Sequence, residues 1–383
     1  MKFDYIIAGS GLSGSTFARC MAEKGKSVLI VEKRNEIGGN LYDERDSSGI
    51  IVQKYGPHIF HTSDEDVFSF ITRFATWEPF KLRCEVEMLG QSTPSPFNFK
   101  TIDQFYTKDE AELLKVHLKD AYPDRLIVTI VELIQHTDPL IKKYAEFLFK
   151  NDYSLYTAKQ WGMKPEDVDI SILKRVPVRL DYQEMYFTDK YECMPVKGYT
   201  EFVKNMINHP NISVIHDDIR NIINLDKKCF TISYNDIDTN SDCKLVYTGA
   251  IDELFDYEFG ALPYRSLRFE YEQVRTDSYQ NAPVVAYPQI EGYTRITEYK
   301  KLPVQEVKDL TLIAREYPLM YDINKGIDPY YPIPTTATSK LYNKYAEMAS
   351  NYSTLILCGR LADYKYYNMD QTIKRVLKLV STI

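Results

Sequence analysis

The fold of this chain is decided by residues 3–32, which read FDYIIAGSGLSGSTFARCMAEKGKSVLIVE. Two apolar, β-rich runs bracket a glycine cluster and a stretch whose apolar residues, among them Phe17 and Met21, have helical spacing. The pattern predicts, in order, a strand at Phe3–Ala8, a turn at 9–14, a helix at Ser15–Lys24 stopped by Gly25, and a strand at Val28–Val31. This strand–turn–helix–strand unit is typical of an α/β dinucleotide-binding fold.

The turn GSGLSG places glycines at 9, 11 and 14, where such a fold needs a tight turn, close backbone approach to a pyrophosphate and helix–strand packing. A phosphate would lie at the positive end of the helix. Glu32, at the end of the second strand, is placed to accept ribose hydroxyls, and its charge disfavours a 2′-phosphate. A glycine turn in another α/β protein is the alternative, but the flanking elements favour nucleotide binding.

The composition is that of a globular protein of more than one domain: 383 residues, 44% hydrophobic and 26% charged. A net charge of -7 argues against a nucleic-acid surface, so arginines must cluster locally to bind an anionic ligand. The cysteines have no CxxC or metal spacing and are expected to be reduced thiols. We find neither a leader nor an apolar run of about 18 residues and expect a cytoplasmic protein without a membrane span.

Two further motifs extend the cofactor interpretation. The run EKRNEIGGN at 32–40 resembles that of FAD-binding oxidoreductases, in which the backbone lies against the flavin diphosphate. The run YGPHIFHT at 55–62 holds His58 and His61, but no further ligands complete a metal site, and none is expected. Flavin or substrate contact and ordinary core packing remain the two interpretations of these histidines.

The rest of the chain divides into a helical insertion and strand-rich segments. A capping box at Thr107–Glu110 opens a helix to about Ala121, residues 126–135 are expected to be helical, and Asp138-Pro139 opens a helix to about Phe149. The two prolines of residues 92–99 indicate an ordered loop or sheet edge. A strand at Thr354–Cys358 and a helix to about Val380 close the chain.

The predicted class is α/β, with a discontinuous Rossmann-like FAD-binding domain, a helical insertion domain and an antiparallel β-sheet domain. We assign the FAD-binding domain to 1–85, 195–255 and 335–383, the helical substrate-lid domain to 100–165, and the sheet domain to 86–99, 166–194 and 256–334. Arg175 and Arg179 on one strand could form a diphosphate clamp or an exposed strand face. Trp161 could stack on a base or belong to the core.

Ten motifs in order resemble the UDP-galactopyranose mutase family over nearly the whole chain: GSGLSG, EKRNEIGGN, YGPHIFHT, KQWG, KRVPVR, GALPYRSL, YTRITE, REYP, PYYP and GRLADYKYYNM. The resemblance implies a flavin-dependent isomerase that converts UDP-galactopyranose into UDP-galactofuranose for bacterial surface polysaccharide. It implies FAD that is active when reduced, an external reductant and a homodimer. The chemistry it implies is a covalent flavin N5–sugar iminium intermediate.

The resemblance also assigns residues. His58, Arg175 and Arg295 are the predicted catalytic residues. The predicted substrate-binding residues are Tyr156, Trp161, Arg175, Tyr186, Arg265, Arg295, Tyr331 and Tyr366. The predicted cofactor-binding residues are Gly11, Leu12, Ser13, Gly14, Glu32, Lys33, Gly39, Asn40, His58, Ile59, Arg360, Asn368 and Met369, and His61 is expected to support His58.

Three departures from the family pattern leave the sugar open. Pro94 and Ala286 stand where the family commonly has asparagines near the sugar, and Asn368 stands where it has an aspartate. A less polar pocket favours a 6-deoxy sugar such as dTDP-fucopyranose or an N-acetyl relative; neutral drift would leave galactose as the substrate. A hydride-transferring FAD oxidoreductase and a non-catalytic nucleotide-sugar binder are the alternatives from other classes.

Overall fold

The computed structural model describes residues 2–162, 164–167, 173, 176–226, 229–232 and 238–383. Its strands are β1 (Lys2–Ala8), β2 (Val28–Glu32), β3 (Asp43–Arg45), β4 (Ile51–Gln53), β5 (Phe60–Thr62), β6 (Trp77–Pro79), β7 (Cys84–Met88), β8 (Gln91–Ser95), β9 (Ile127–Thr129), β10 (Pro177–Arg179), β11 (Tyr191–Pro195), β12 (Ile212–His216), β13 (Ile223–Asp226), β14 (Cys229–Ile232), β15 (Asp238–Tyr247), β16 (Tyr264–Val274), β17 (Val284–Ala286), β18 (Arg295–Glu298), β19 (Thr311–Met320), β20 (Tyr331–Pro332) and β21 (Leu355–Leu357).

The α-helices are α1 (Leu12–Glu23), α2 (Glu65–Thr72), α3 (Phe99–Phe105), α4 (Lys108–Ala121), α5 (Ile130–Ile134), α6 (Pro139–Leu148), α7 (Ser154–Trp161), α8 (Tyr199–Ile207), α9 (Ile219–Ile222), α10 (Ile251–Leu254), α11 (Thr336–Ser350) and α12 (Met369–Val380). A π-helical turn, Phe149–Tyr153, joins α6 to α7. None of the described helices is long and apolar enough to cross a membrane.

The nucleotide-type sheet is parallel and five-stranded, in the order β12-β2-β1-β15-β21. Its strands come from the beginning, the middle and the end of the chain, so this Rossmann-like unit is discontinuous, as the sequence predicts. Helices α1 and α12 pack against each other. Burial of apolar side chains holds these helices against the sheet: Ile7 of β1, Phe17 of α1 and Val376 of α12 are fully buried in one cluster.

Two further units flank this sheet. A seven-stranded sheet in the order β20-β16-β19-β18-β17-β7-β8 is antiparallel except where β17 pairs with β7 in parallel. Helices α3–α6 surround an apolar cluster that includes Leu118, Ile141 and Leu148 and that also takes Val86 and Met88 from β7. The sequence therefore predicts the α/β class and its added helical and antiparallel parts correctly.

Two local predictions need correction. Helix α1 begins at Leu12, not Ser15, because Gly11 is already its N-cap residue and Gly14 lies inside the helix. Residues 126–135 are not one helix: the β-branched residues at 127–129 form β9, which pairs with β10, and Thr129 then caps α5 by accepting a hydrogen bond from the Glu132 amide at 3.2 Å. The two prolines of residues 92–99 do mark a sheet edge, because β8 is an outer strand.

We expect Gly14→Ala to destabilise the nucleotide unit by about 3 kcal/mol or more, because a Cβ there would lie 2.1 Å from the Gly9 carbonyl oxygen. Gly49→Ala is the matched control, since its Cβ would meet nothing within 4 Å and only the positive φ is strained. Urea unfolding of both variants measures the difference. Equal losses of stability would show that the close approach at Gly14 does not constrain the fold.

Candidate active site

A cleft lies at the carboxyl ends of the parallel strands, where ligands bind in open α/β sheets. Its walls come from the glycine turn, the segment after β2, the start of α9, the end of β15, the loop before β20 and the segment before α12. The residues that line it include Gly11, Leu12, Ser13, Glu32, Lys33, Arg34, Gly39, Asn40, His58, Asp218, Arg220, Thr248, Asp328, Tyr330, Arg360 and Met369.

The glycine turn leaves the first turn of α1 open to the cleft. Gly11 is the N-cap residue, no side chain caps the helix, and the first turn carries no acidic residue. A Cβ on Gly39 would lie 2.9 Å from the Gly11 Cα, so only glycine allows these two backbones to meet. Backbone amides at the positive end of a helix bind phosphate, and this cradle fits the diphosphate of a dinucleotide.

Glu32 is held in place by the turn beside it. One carboxylate oxygen accepts hydrogen bonds from the Ser10 amide at 2.7 Å and the Ser10 hydroxyl at 2.6 Å, and the other accepts from the Arg34 amide at 3.0 Å. The residue is 4% exposed. A fixed carboxylate at the end of the second strand suits the ribose hydroxyls of a dinucleotide.

Asp328 reaches this end of the cleft from the loop before β20. It forms ion pairs with Arg34 at 2.6 Å and Lys33 at 3.3 Å, and the Arg34 guanidinium lies 4.2 Å from the centroid of the Tyr55 ring. These contacts join the sheet domain to the nucleotide unit. The Asp328 carboxylate also offsets part of the positive charge of Lys33 and Arg34.

His58 is neutral and its tautomer is set. Its Nδ1–H donates to the Gly56 carbonyl at 2.8 Å, which leaves Nε2 as an acceptor. Burial and, to a smaller extent, the Arg360 and Arg295 charges together lower the pKa of His58 to about 4. At neutral pH, His58 therefore adds no positive charge to the cleft.

Arg295, at the start of β18, is paired with a buried carboxylate. Its Nε and Nη2 lie 2.7 and 2.6 Å from one Glu316 oxygen, and the Glu316 side chain is 3% exposed. The Arg295 side chain is 27% exposed, so part of it remains available to an anionic ligand. Glu316 keeps the pKa of Arg295 above its ordinary value despite burial, so the cation persists at any working pH.

Tyrosines and arginines gather next to His58. The rings of Tyr331 and Tyr366 stack at 5.6 Å, and the Arg360 guanidinium lies 4.9 and 5.4 Å from their centroids. Arg265 lies 5.7 Å from the Tyr331 ring. Tyr366 is 57% exposed, so its hydroxyl is open to ligand. Guanidinium and phenol groups in this arrangement fit a nucleoside diphosphate.

Helix α7 adds Tyr156 to the same region. The Tyr156 hydroxyl accepts a hydrogen bond from Gln160 Nε2 at 3.3 Å, and Gln160 Oε1 accepts one from Arg265 at 3.4 Å. Burial raises the pKa of Tyr156, with Arg295 opposing it, so the phenol stays protonated. Tyr186 is exposed and packs edge-on against Phe187 at 5.0 Å.

Some predicted residues lie elsewhere. Ile59 is not among the residues that line the cleft: it is 7% exposed and belongs to an apolar core cluster. Asn368 is the N-cap residue of α12, where its backbone N–H donates to Gln371 Oε1 at 3.0 Å. Gly14 packs against Gly9 instead of lining the cleft. Arg175 and the Trp161 side chain lie outside the described residues.

The expected support of His58 by His61 stays a prediction. His61 Nδ1 lies 2.8 Å from an Asp189 oxygen, and its ring stacks on Phe187 at 3.8 Å, whereas the His58 Nδ1 bonds the Gly56 carbonyl. No group of three or more His, Cys, Asp or Glu side chains that could hold a metal ion occurs in the part of the chain that the structure describes.

The sequence interpretation missed Arg34, Asp218, Arg220, Asp328 and Tyr330. Arg34 directly follows Glu32-Lys33, and its position beside the ribose carboxylate was a usable signal. Asp218 caps α9 and pairs with Arg220 at 2.7 Å, but their place at the cleft depends on the pairing of β12 with β2. Tyr330 lies in the PYYP run at 329–332, next to the predicted Tyr331, whereas nothing local marks Asp328.

Comparison with known proteins agrees with this geometry. The family described as UDP-galactopyranose mutase matches residues 151–366, and that described as NAD(P)-binding Rossmann-like domain matches residues 7–74. The chain is 36% identical to dTDP-fucopyranose mutase of Escherichia coli over 97% of this chain and 96% of that protein. It belongs to the UDP-galactopyranose mutase family.

Two further comparisons support the membership of this family. The chain is 35% identical to the probable UDP-galactopyranose mutase of Klebsiella pneumoniae, over 97% of this chain and 92% of that protein. Its fold is similar to a crystal structure of reduced UDP-galactopyranose mutase, with a TM-score of 0.70 at 15% identity, covering 100% of this chain and 93% of that one. As a member of a mutase family, this chain is an isomerase with a Rossmann-like dinucleotide unit.

The state of His58 predicts a pH dependence of stability. Its pKa of about 4 in the folded protein lies below the ordinary value of 6.5, so the unfolded chain binds more protons between these values. Stability is therefore lost as pH falls from 6.5 to 4, by as much as about 3 kcal/mol from this residue. Urea unfolding at pH 7 and pH 4.5 should show a smaller loss for His58→Gln than for wild type.

His209→Gln is the matched control, and its loss between the two pH values should equal that of wild type. A His58→Gln protein with the wild-type pH dependence would contradict the neutral, buried state of His58.

Proposed function

We propose that this protein interconverts the pyranose and furanose forms of a nucleotide-linked sugar, with FAD as the cofactor and UDP-galactopyranose as the first candidate substrate. The observation that carries the proposal is the continuity of two sites: a dinucleotide cleft that ends at His58 and Arg360, and a cluster of arginines and tyrosines that begins there. A ligand in the cluster would face the end of the cofactor.

The residues fit FAD. The Gly11–Gly39 contact admits a diphosphate, Glu32 suits a ribose, and Arg360 and Met369 line the far end of the cleft, where a ring system would lie. Bound and reduced, the flavin supplies an electron-rich nucleophile for the anomeric carbon of the sugar. An external reductant keeps it in that state, and a homodimer is proposed from the family resemblance alone.

The chain's own side chains handle the leaving diphosphate. Arg295, held by Glu316, and Arg360, stacked on Tyr331 and Tyr366, stabilise negative charge as the bond to the sugar breaks. They also keep the diphosphate near the sugar for its return, which removes the entropic cost of a second encounter. Neutral His58 offers an acceptor at Nε2 for a sugar hydroxyl without competing for the diphosphate.

A specific observation favours a second candidate, dTDP-fucopyranose. Ala286 on β17 lies directly opposite Arg295 on β18 and beside Val86 on β7. Directly paired residues share one face of a sheet, so methyl groups border the clamp arginine where the family commonly has an amide. The dTDP-fucopyranose mutase of Escherichia coli is 36% identical to this chain, which adds to the case for a 6-deoxy sugar.

Hydride transfer, the other enzyme class, is distinguished by its products. The putative protoporphyrinogen oxidase of similar fold, with a TM-score of 0.61 at 10% identity, shows the fold alone. An oxidoreductase changes the mass of its substrate and consumes an oxidant, whereas a mutase changes only the ring size.

The test is product NMR after incubating the dithionite-reduced holoenzyme with UDP-galactopyranose and dTDP-fucopyranose separately. We expect a furanose product of unchanged mass from at least one of them. A change in product mass, or no product from these and from N-acetyl sugar nucleotides, would contradict the proposed function.

Ala286→Asn tests the choice of sugar. An amide beside Arg295 can hydrogen-bond a hydroxyl that a 6-deoxy sugar lacks, so kcat/KM for UDP-galactopyranose relative to dTDP-fucopyranose should rise about tenfold. Ala261→Asn, on an exposed loop, is the matched control and should leave the ratio unchanged. An unchanged ratio in Ala286→Asn would show that this position does not select the sugar.

A further inference from the structure

One lysine ties the helical insertion to the antiparallel sheet. Lys159 on α7 extends its ammonium group to three backbone carbonyl oxygens, those of Tyr287 at 2.5 Å, Ile290 at 2.6 Å and Tyr293 at 2.9 Å. All three belong to the connection between β17 and β18. An ammonium group has three protons, so these carbonyls use its full donor capacity.

The two elements that Lys159 joins carry different parts of the ligand cluster. On α7, Tyr156 lies one helical turn before Lys159, and the resemblance to the family assigns it to the base of the substrate. The β17–β18 connection ends at Arg295, the first residue of β18. The Tyr287 backbone amide donates to the Thr294 carbonyl at 2.8 Å and so joins the two ends of this connection. Lys159 therefore joins the helix that carries Tyr156 to the hairpin that carries Arg295.

The contact is charge-assisted and partly shielded from water. Lys159 is of intermediate exposure, and burial lowers its pKa to about 8 while the buried carboxyl of Asp152 opposes the shift, so the group is mostly protonated at neutral pH. Hydrogen bonds from an ionised donor are stronger than neutral ones. Three of them to a single connection restrict its movement relative to α7.

We propose that Lys159 is a positioning residue that holds the Tyr156 helix and the Arg295 hairpin at one fixed spacing, so that the base and diphosphate subsites bind a nucleoside diphosphate as a single unit. The inference rests on the proposed function and adds to it a residue that touches neither ligand part. If the spacing is fixed, a ligand that spans both subsites binds with higher affinity than it would if the two subsites moved independently.

The experiment compares a bridging ligand with its fragments. Wild type, Lys159→Met and Lys159→Arg are titrated calorimetrically with UDP and dTDP, and their binding of uridine, thymidine and pyrophosphate is measured by ligand-observed NMR. For Lys159→Met we expect at least a tenfold loss of affinity for the nucleoside diphosphate and less than a twofold loss for each fragment. Lys159→Arg should recover part of the loss, because a guanidinium can donate to the same carbonyls.

Lys150→Met is the matched control: the residue is exposed on the π-helical turn next to α7, and the substitution should leave every affinity unchanged. Equal losses for fragments and for nucleoside diphosphate, or no loss at all, would overturn the inference. If Lys159→Met does not fold, Lys159→Gln, which keeps one amide donor group, takes its place in the comparison.

Steady-state kinetics give a second readout. Because Lys159 is proposed to act on ligand binding, Lys159→Met should raise KM for the nucleotide sugar at least tenfold and change kcat by less than threefold. A kcat loss with unchanged KM would contradict the role. A wild-type protein that binds neither nucleotide would contradict the proposed function itself, before any variant is compared.

Discussion

The close approach of Gly14 to Gly9 is the constraint on which the rest of the structure depends. The Gly9 carbonyl occupies the space where any other residue at 14 would place its Cβ. Helix α1 can therefore lie tightly against the turn after β1, and its first turn faces the carboxyl edge of the parallel sheet. The cofactor cleft exists at that edge because of this contact, and the other units are arranged around it.

An acidic protein must concentrate positive charge to bind an anionic ligand, and this chain brings arginines together from distant segments. Arg34 follows β2, Arg265 lies on β16, Arg295 on β18 and Arg360 after β21. Each has a partner that orients it: Asp328 for Arg34, Gln160 for Arg265, Glu316 for Arg295, and the Tyr331 and Tyr366 rings for Arg360. These partners keep the guanidinium groups in place without removing them from the ligand surface.

Local patterns in the sequence predict much of this. The glycine turn, Glu32 and the capping residues act within a few residues of one another, so their roles are visible without tertiary structure. The run at 55–62 marks His58 as a candidate for flavin or substrate contact, and the resemblance to a family supplies Arg295 and Arg360, which no local pattern marks. Ile59 shows the limit of that transfer: a motif names a segment, but tertiary packing places Ile59 in the apolar core while His58 lines the cleft.

Asp328, Arg220 and Lys159 could not be predicted in this way. Asp328 meets Arg34 across almost the whole chain, and the carbonyls that surround the Lys159 ammonium belong to a connection far from it in sequence. The same holds for β9 at 127–129: the sequence pattern there predicts a helix, but the residues form a strand because they pair with β10. For Asp328, Lys159 and β9, the partner comes from tertiary structure. Arg220 pairs locally with Asp218, but its place at the cleft depends on the pairing of β12 with β2.

We propose that this protein isomerises its substrate only when the flavin that its cleft would hold is reduced and therefore electron-rich. The most direct measurement follows furanose formation by one preparation of flavin-loaded protein, first oxidised, then reduced with dithionite under anaerobic conditions, then reoxidised. The account predicts turnover in the reduced state alone, lost on reoxidation. Equal turnover in the oxidised and reduced states, or a purified protein that cannot be loaded with flavin, would contradict it.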